Sequence, residues 1–410
     1  MATQSRAKTQ RVTRARPRFS SLEEAVAAAR ALGPELRERV PEAERLRRLP
    51  RENVDALLES GLIRLEAPAK YGGSELNLDA LLEVTGALAE ACSATGWVYA
   101  LWGAHMWLIA HYPEPVQEMV FGDPDTLISS VVATEGQPVR VDGGYRWTGR
   151  GFFSSGVDHC TWLTAALDVD PEGTPLGDRR WFLIPRSEFE IVDDWYTMGL
   201  KGTGSKTIVV EDVFVPDERI VRFRDLSEGS RASRLYKAAV FQAAFEFTYT
   251  LPLAGPVVGI ARSLLAAVQE RIAGRLASGR ALQVATQTAS LTRYAEAAAQ
   301  IEAGRALLLE TARRYCNMPA AEASPLDRAM GRMNVAYGAQ LCRRAANLLF
   351  EFAGASNIYD GTEIQRLWRD SNAAAAHAGL QWDGPALTFG RTAMGLGQTP
   401  EASVRETPGV

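Results

Sequence analysis

The chain has 410 residues, 46% hydrophobic and 23% charged, an ordinary globular composition with length for two or three cores. Its 45 Lys and Arg against 49 Asp and Glu leave a formal charge of -4, so there is no electrostatic footprint for nucleic acid or an anionic membrane surface. No stretch approaches the ~18 consecutive apolar residues of a membrane span, and the cysteines (Cys92, Cys160, Cys316, Cys342) stand far apart, as buried thiols of a reducing cytoplasm would.

The first 19 residues are basic but lead into no apolar segment, so they read as a tail and not a secretory signal. From 20 to 125 apolar residues recur three or four apart, predicting helices, the first opened by a Ser21/Glu24 capping pair. From 126 to 225 short alternating runs such as TLISSVVA, YRWTGRGFFSSG and KTIVVEDVFVP lie between Gly, Pro and Asp, predicting a central all-β domain. Helical periodicity returns from 226 to 392 in long Ala-rich segments suited to an antiparallel bundle and to packing on a second copy; 393–410 reads as a tail. The expected fold is α+β: an N-terminal helical domain, a central β-barrel or sandwich, and a C-terminal four-helix bundle.

Three segments in this order carry a resemblance. LIRLEAPAKYGGSELNL holds a turn at Gly72 and Gly73 that Cβ atoms would obstruct; VVATEGQP with YRWTGRGFFSSGVDHCTW forms a strand pair; MGLKGTGSKTIVVEDVFVP follows. Together they resemble the acyl-CoA dehydrogenase superfamily over residues of roughly 20 to 390, the third segment being the most family-specific. GTGSKT is no phosphate loop, because Gly204 is followed by Ser205, Lys206, Thr207 and a strand instead of GK[ST] entering a helix. No GxGxxG joins a strand to a helix either, so the chain shows no NAD(P)H site of its own.

Acyl-CoA dehydrogenases abstract a proton with a glutamate that in many members follows an Arg-Asp pair. Here Arg369-Asp370 is present, but no Glu occurs before Pro400, and His377 stands where the base is expected. Some members carry the base on another helix, which leaves Glu246 as an alternative. The branch that makes this exchange, and that the chain resembles, is the oxygenase component of two-component flavin monooxygenases. The resemblance implies reduced FMN or FAD delivered by a separate NAD(P)H:flavin reductase, O2 as co-substrate, a C4a-hydroperoxide as oxygen donor, and a small aromatic or polycyclic substrate. It also implies a homotetramer. N- or S-oxygenation by the same chemistry, a true acyl-CoA dehydrogenase, and a fold relative without flavin are the competing readings.

Within that frame His377 is the expected base, since imidazole suits a phenolic proton. Ser154 and Ser155 lie where a family threonine meets the flavin edge; neighbours in a strand face opposite ways, so either could serve. Trp97 and His105, about 80° apart around one predicted helix, line one side of a cleft for flavin and substrate. The aromatic run WVYALWGAHMW could instead be simple core. His159 is a substrate-side candidate, Ser129, Ser130 and Gly204 are flavin-side candidates, and Arg280 resembles a residue that reaches a neighbouring subunit's flavin. His111 reads as structural. No His, Cys or carboxylate spacing suggests a metal.

Overall fold

The computed structural model describes residues 16–169, 178–227, 229, 231–277 and 288–396. Helices α1 (Leu22–Ala31), α2 (Gly33–Glu38), α3 (Val40–Leu46), α4 (Arg51–Glu59), α5 (Leu78–Ala91), α6 (Ser93–Ile109) and α7 (Glu114–Phe121) come first. Ser21 caps α1 by accepting from the Glu24 N–H at 3.2 Å, while the Glu24 carboxylate reaches back one residue further than expected, to the Ser20 N–H at 2.8 Å. The YGG turn is as tight as its glycines suggest: a Cβ on Gly73 would lie 1.8 Å from the Ala67 carbonyl oxygen.

Strands β1 (Ile128–Val131), β2 (Ala133–Glu135), β3 (Val139–Val141), β4 (Gly144–Ser154), β5 (Trp162–Asp168), β6 (Arg179–Pro185), β7 (Glu190–Val192), β8 (Lys206–Pro216) and β9 (Ile220–Arg222) form the middle of the chain. They make two open sheets, a 4-stranded one ordered β1-β5-β6-β9 and a 5-stranded one ordered β2-β4-β8-β7 with β3 on β4. The domain is thus a sandwich and not a closed barrel. Its inner faces enclose their own core of Val131, Trp147, Leu163, Phe182, Ile184 and Ile208.

The remaining helices are α8 (Phe223–Ser227), α9 (Arg231–Leu235), α10 (Phe245–Ala277), α11 (Thr288–Cys316), α12 (Pro325–Ala353), α13 (Glu363–Ala375) and α14 (Asp383–Ala393). By length and composition Phe245–Gly274 could cross a membrane, but 72% of its apolar window is buried inside the protein, which makes it the bundle's core helix. Pro256 has no N–H for the Pro252 carbonyl one turn back, and Thr85 of α5 turns its hydroxyl toward that oxygen at 3.4 Å. Thr85 thereby ties α10 to α5 at the oxygen that Pro256 leaves free. Helix α13 stops at Ala375, so His377, expected inside an Ala-rich helix, sits instead in the turn beyond it and caps a single 3-10 turn at Ala378–Leu380.

Candidate active site

Helix α6 is buried on every face, as its nearly continuous apolar and aromatic sequence requires. Trp97 and His105 lie eight residues apart, about 12 Å along the axis, so they mark two ends of one wall. At the far end the His105 Nδ1 is 2.6 Å from the Ile128 carbonyl of β1. A carbonyl only accepts, so Nδ1 carries the proton and Nε2 presents its lone pair. That Nε2 is buried with no partner among the described residues, and burial depresses the imidazolium to about 4. Beside it stands the Tyr249 ring of α10, centroids 6.4 Å apart. The Tyr249 hydroxyl meets Ser130 and is pushed up to about 12 by burial.

At the near end the Trp97 Nε1–H donates to Ser155 Oγ at 3.2 Å. Ser155 and Ser205 hydroxyls are 2.7 Å apart, Ser205 and Thr203 another 2.7 Å, and Thr203 donates to the Leu200 carbonyl at 2.9 Å. Both chain ends are fixed, an indole that only donates and a carbonyl that only accepts, so the protons run one way from Trp97 to Leu200. Gly204, at φ 53, makes the turn that lets Thr203 and Ser205 converge. Ser129 supports the same corner, its hydroxyl donating to the Ser155 carbonyl at 3.0 Å.

Ser154 differs from its neighbour. Its Oγ is fully buried and has no partner among the described residues. It follows an irregularity in the β4–β8 pairing between Gly151 and Ser154, where Phe153 holds a left-handed backbone at φ 61. The Phe153 ring is 66% exposed and meets Trp195 edge-on at 6.2 Å. Tyr196 and Met198 are exposed nearby in sequence. The orphaned, buried Ser154 Oγ next to this uncovered aromatic ledge fits a flat guest with a polar edge such as a flavin.

The His377 ring packs edge-on against Trp97 with centroids 5.6 Å apart. Its Nδ1 accepts from the Gly379 N–H at 3.0 Å, which puts the proton of the neutral ring on Nε2. Burial first, then the Arg332 charge, lower its imidazolium to about 4. The structure thus gathers Trp97, Ser155 and His377 at one end, and His105 with Ser130 at the other.

Other candidates are placed elsewhere. His159 Nε2 donates to the Leu49 carbonyl at 2.9 Å, a bond between the sandwich and the N-terminal helices. His111 packs against Trp107 with centroids 4.0 Å apart and the rings tilted at 50°, both ring nitrogens buried and without a partner among the described residues. Glu246 is ion-paired with Arg328 at 2.8 Å, and that guanidinium also bonds the carbonyls of Ser227, Ala320 and Ala323. Arg280 lies outside the described residues. The Arg-Asp pair is a clamp: Asp370 Oδ1 accepts from the Leu200 N–H at 2.7 Å, and Arg369 bonds the Met198 carbonyl. It fastens α13 to the turn that carries Thr203 and Ser205.

Thr203, Ser205, Tyr249 and Arg332 escaped sequence reasoning. The first two lie in the segment set aside as a failed phosphate loop, where a Thr-Gly-Ser triplet before a strand was the available signal. The other two reach the site from distant helices and left no local signal.

Family models for the acyl-CoA dehydrogenase N-terminal domain and C-terminal domain match residues 23–119 and 251–382. The chain is 36% identical over 376 residues to the flavin-dependent monooxygenase oxygenase subunit HsaA of Mycobacterium tuberculosis, covering 90% of this chain and 95% of that one. It is 33% identical over 373 residues to the oxygenase component of p-hydroxyphenylacetate 3-hydroxylase of Acinetobacter baumannii, covering 90% and 88%. The crystal structure of 3-HSA hydroxylase from Rhodococcus sp. RHA1 superposes with a TM-score of 0.86 at 34% identity over 92% of this chain and 98% of that one. With its sandwich, its bundle and a histidine where the dehydrogenase carboxylate is expected, the chain belongs to the flavin-dependent monooxygenase oxygenase components built on the acyl-CoA dehydrogenase fold.

Proposed function

We propose that this chain hydroxylates a phenol-type aromatic substrate, using reduced FMN or FAD from a separate NAD(P)H:flavin reductase, with His105 taking the substrate's hydroxyl proton. The observation that carries this is the His105 ring: its proton is pinned on Nδ1 by the Ile128 carbonyl, and its Nε2 lone pair is buried and unpaired among the described residues. Reduced flavin and O2 together supply the oxygen atom inserted into the C–H bond and the electrons that take the second oxygen to water.

The side chains do the rest. His105 Nε2 accepts the phenolic O–H, which raises electron density on the ring to be attacked. The aromatic wall of Trp97, Tyr249 and Trp181 excludes water, and a dry pocket strengthens each polar contact within it. Ser154 Oγ is the hydroxyl assigned to the flavin edge, because Ser155 is already committed to Trp97 and Ser205. His377, expected as the base, is reassigned as a donor, since its Nδ1 is occupied and Nε2 carries the proton. Glu246 is engaged by the Arg328 guanidinium at 2.8 Å, so its carboxylate does not stand free for dehydrogenation of an acyl-CoA.

A homotetramer is part of the same reading, supported by exposed apolar residues on the C-terminal helices and the turn before α13, among them Ile358, Tyr359, Leu387 and Met394. A cytoplasmic location is supported by four buried, unpaired cysteines. The test is turnover of a phenol panel with a flavin reductase, NADH and O2: hydroxylated product supports the reading, and oxidation of reduced flavin to H2O2 alone with every phenol, or bleaching of bound FAD by an acyl-CoA, refutes it.

A further inference from the structure

One residue, Gly379, joins two groups beside Trp97. The Gly379 N–H donates to His377 Nδ1 at 3.0 Å, while the Gly379 carbonyl accepts from Arg332 Nη1 at 3.2 Å. Arg332 reaches there from α12 and makes no ion pair among the described residues. Glu246 of α10 acts on it only from a distance, being held by Arg328 at 2.8 Å. From α6 the neighbour of His377 is the uncharged Trp97, and from α10 the Thr250 methyl lies against Gly379. Arg332 is therefore the charged group that bears on His377.

We infer that Arg332 is a positioning residue that holds His377 as a neutral imidazole with its proton on Nε2, acting by anchoring Gly379 and through its own charge. Three effects point the same way. The guanidinium on the Gly379 carbonyl anchors the residue whose N–H meets Nδ1, which holds that donor in place. An imidazolium would need Nδ1 to donate, which sets two N–H groups against each other. A second positive charge at this range disfavours protonation outright. His377 is thereby kept a donor at Nε2 across the working pH range. This inference rests on the assignment of His377 as a donor above, and its test reads the ring itself.

The measurement is a long-range 1H–15N correlation on 15N-histidine full-length protein across pH 4.5 to 8. The chain has 4 His, so H377Q identifies the resonance. In the wild type His377 stays in the Nε2–H form to below about pH 5. In R332M its apparent pKa rises by at least one unit toward that of free histidine, and R332K, which keeps the charge, restores the depressed value. If R332M does not fold, R332Q removes the same charge. An R332M or R332Q protein titrating with the wild type overturns the inference, as does R332K titrating with R332M. Should the titrations come out as stated while H377A hydroxylates at the wild-type rate, the inference stands and the catalytic reading of His377 falls.

Discussion

The two ends of the Trp97–His105 wall meet one histidine each, and the two rings carry their protons on opposite nitrogens. At the far end a backbone carbonyl fixes the His105 proton on Nδ1 and frees Nε2 to accept; at the near end a backbone N–H occupies His377 Nδ1 and leaves Nε2 to donate. Both rings are held neutral, each to about 4. Residue type alone would make them interchangeable. The main-chain group that each ring meets decides which one takes a proton and which one gives it.

Breaking the acceptor end has the largest expected effect. His105→Ala lowers hydroxylated product per flavin oxidised by about 10²–10⁴-fold, the usual range for a lost general base, while O2 consumption continues with H2O2 release; product and peroxide assays check it. At the other end the contrast sharpens. His377→Gln keeps an N–H donor and stays within about tenfold of wild type, whereas His377→Ala falls by about 10²-fold; equal losses in the two variants would mean that a base, not a donor, had been removed.

Acid stability tests the claim that the rings are buried neutral. His105 and His111 sit below their ordinary 6.5, at about 4 and about 3, so between those values and 6.5 the unfolded chain binds more protons than the folded one. Stability therefore falls as pH drops from 6.5, by up to about 1.4 kcal/mol per pH unit for each group. Glu66, fully buried with both carboxylate oxygens unpartnered among the described residues, is held well above the carboxylate range and works the other way, penalising the fold as pH rises. Denaturant midpoints of wild type and His111→Phe separate the terms: the variant shows a shallower acid slope. Smallest is Ser154→Ala, which weakens binding of reduced flavin by about tenfold, one hydrogen bond's worth, in anaerobic titration; Ser155→Ala instead lowers stability by leaving the buried Trp97 Nε1–H without its acceptor.

Much of the fold was legible because it rests on local patterns: helical spacing through α1 to α7, alternation through the strands, and a YGG turn whose second glycine touches Ala67. The candidate site was legible where it follows a single element, as with Trp97 and His105 on α6. It was not legible where elements meet. The hydroxyl chain joins β4 to the turn before β8, and Arg332 reaches the site from α12, contacts that exist only after the bundle closes on the sandwich. His377 shows the limit of local pattern: a run of four alanines reads as helix, yet α13 ends at Ala375 and the ring sits in the turn beyond it, where its Nδ1 meets the Gly379 N–H.

The central claim is oxygen insertion governed by the His105 end of the cleft. The direct measurement is turnover under 18O2 with reductase-supplied reduced flavin and a phenol, with product analysed by mass for wild type and His105→Ala. The account predicts one 18O atom in the wild-type product and near-complete loss of that product in the variant with O2 uptake retained. Product without 18O, or a variant that hydroxylates as well as the wild type, would contradict it.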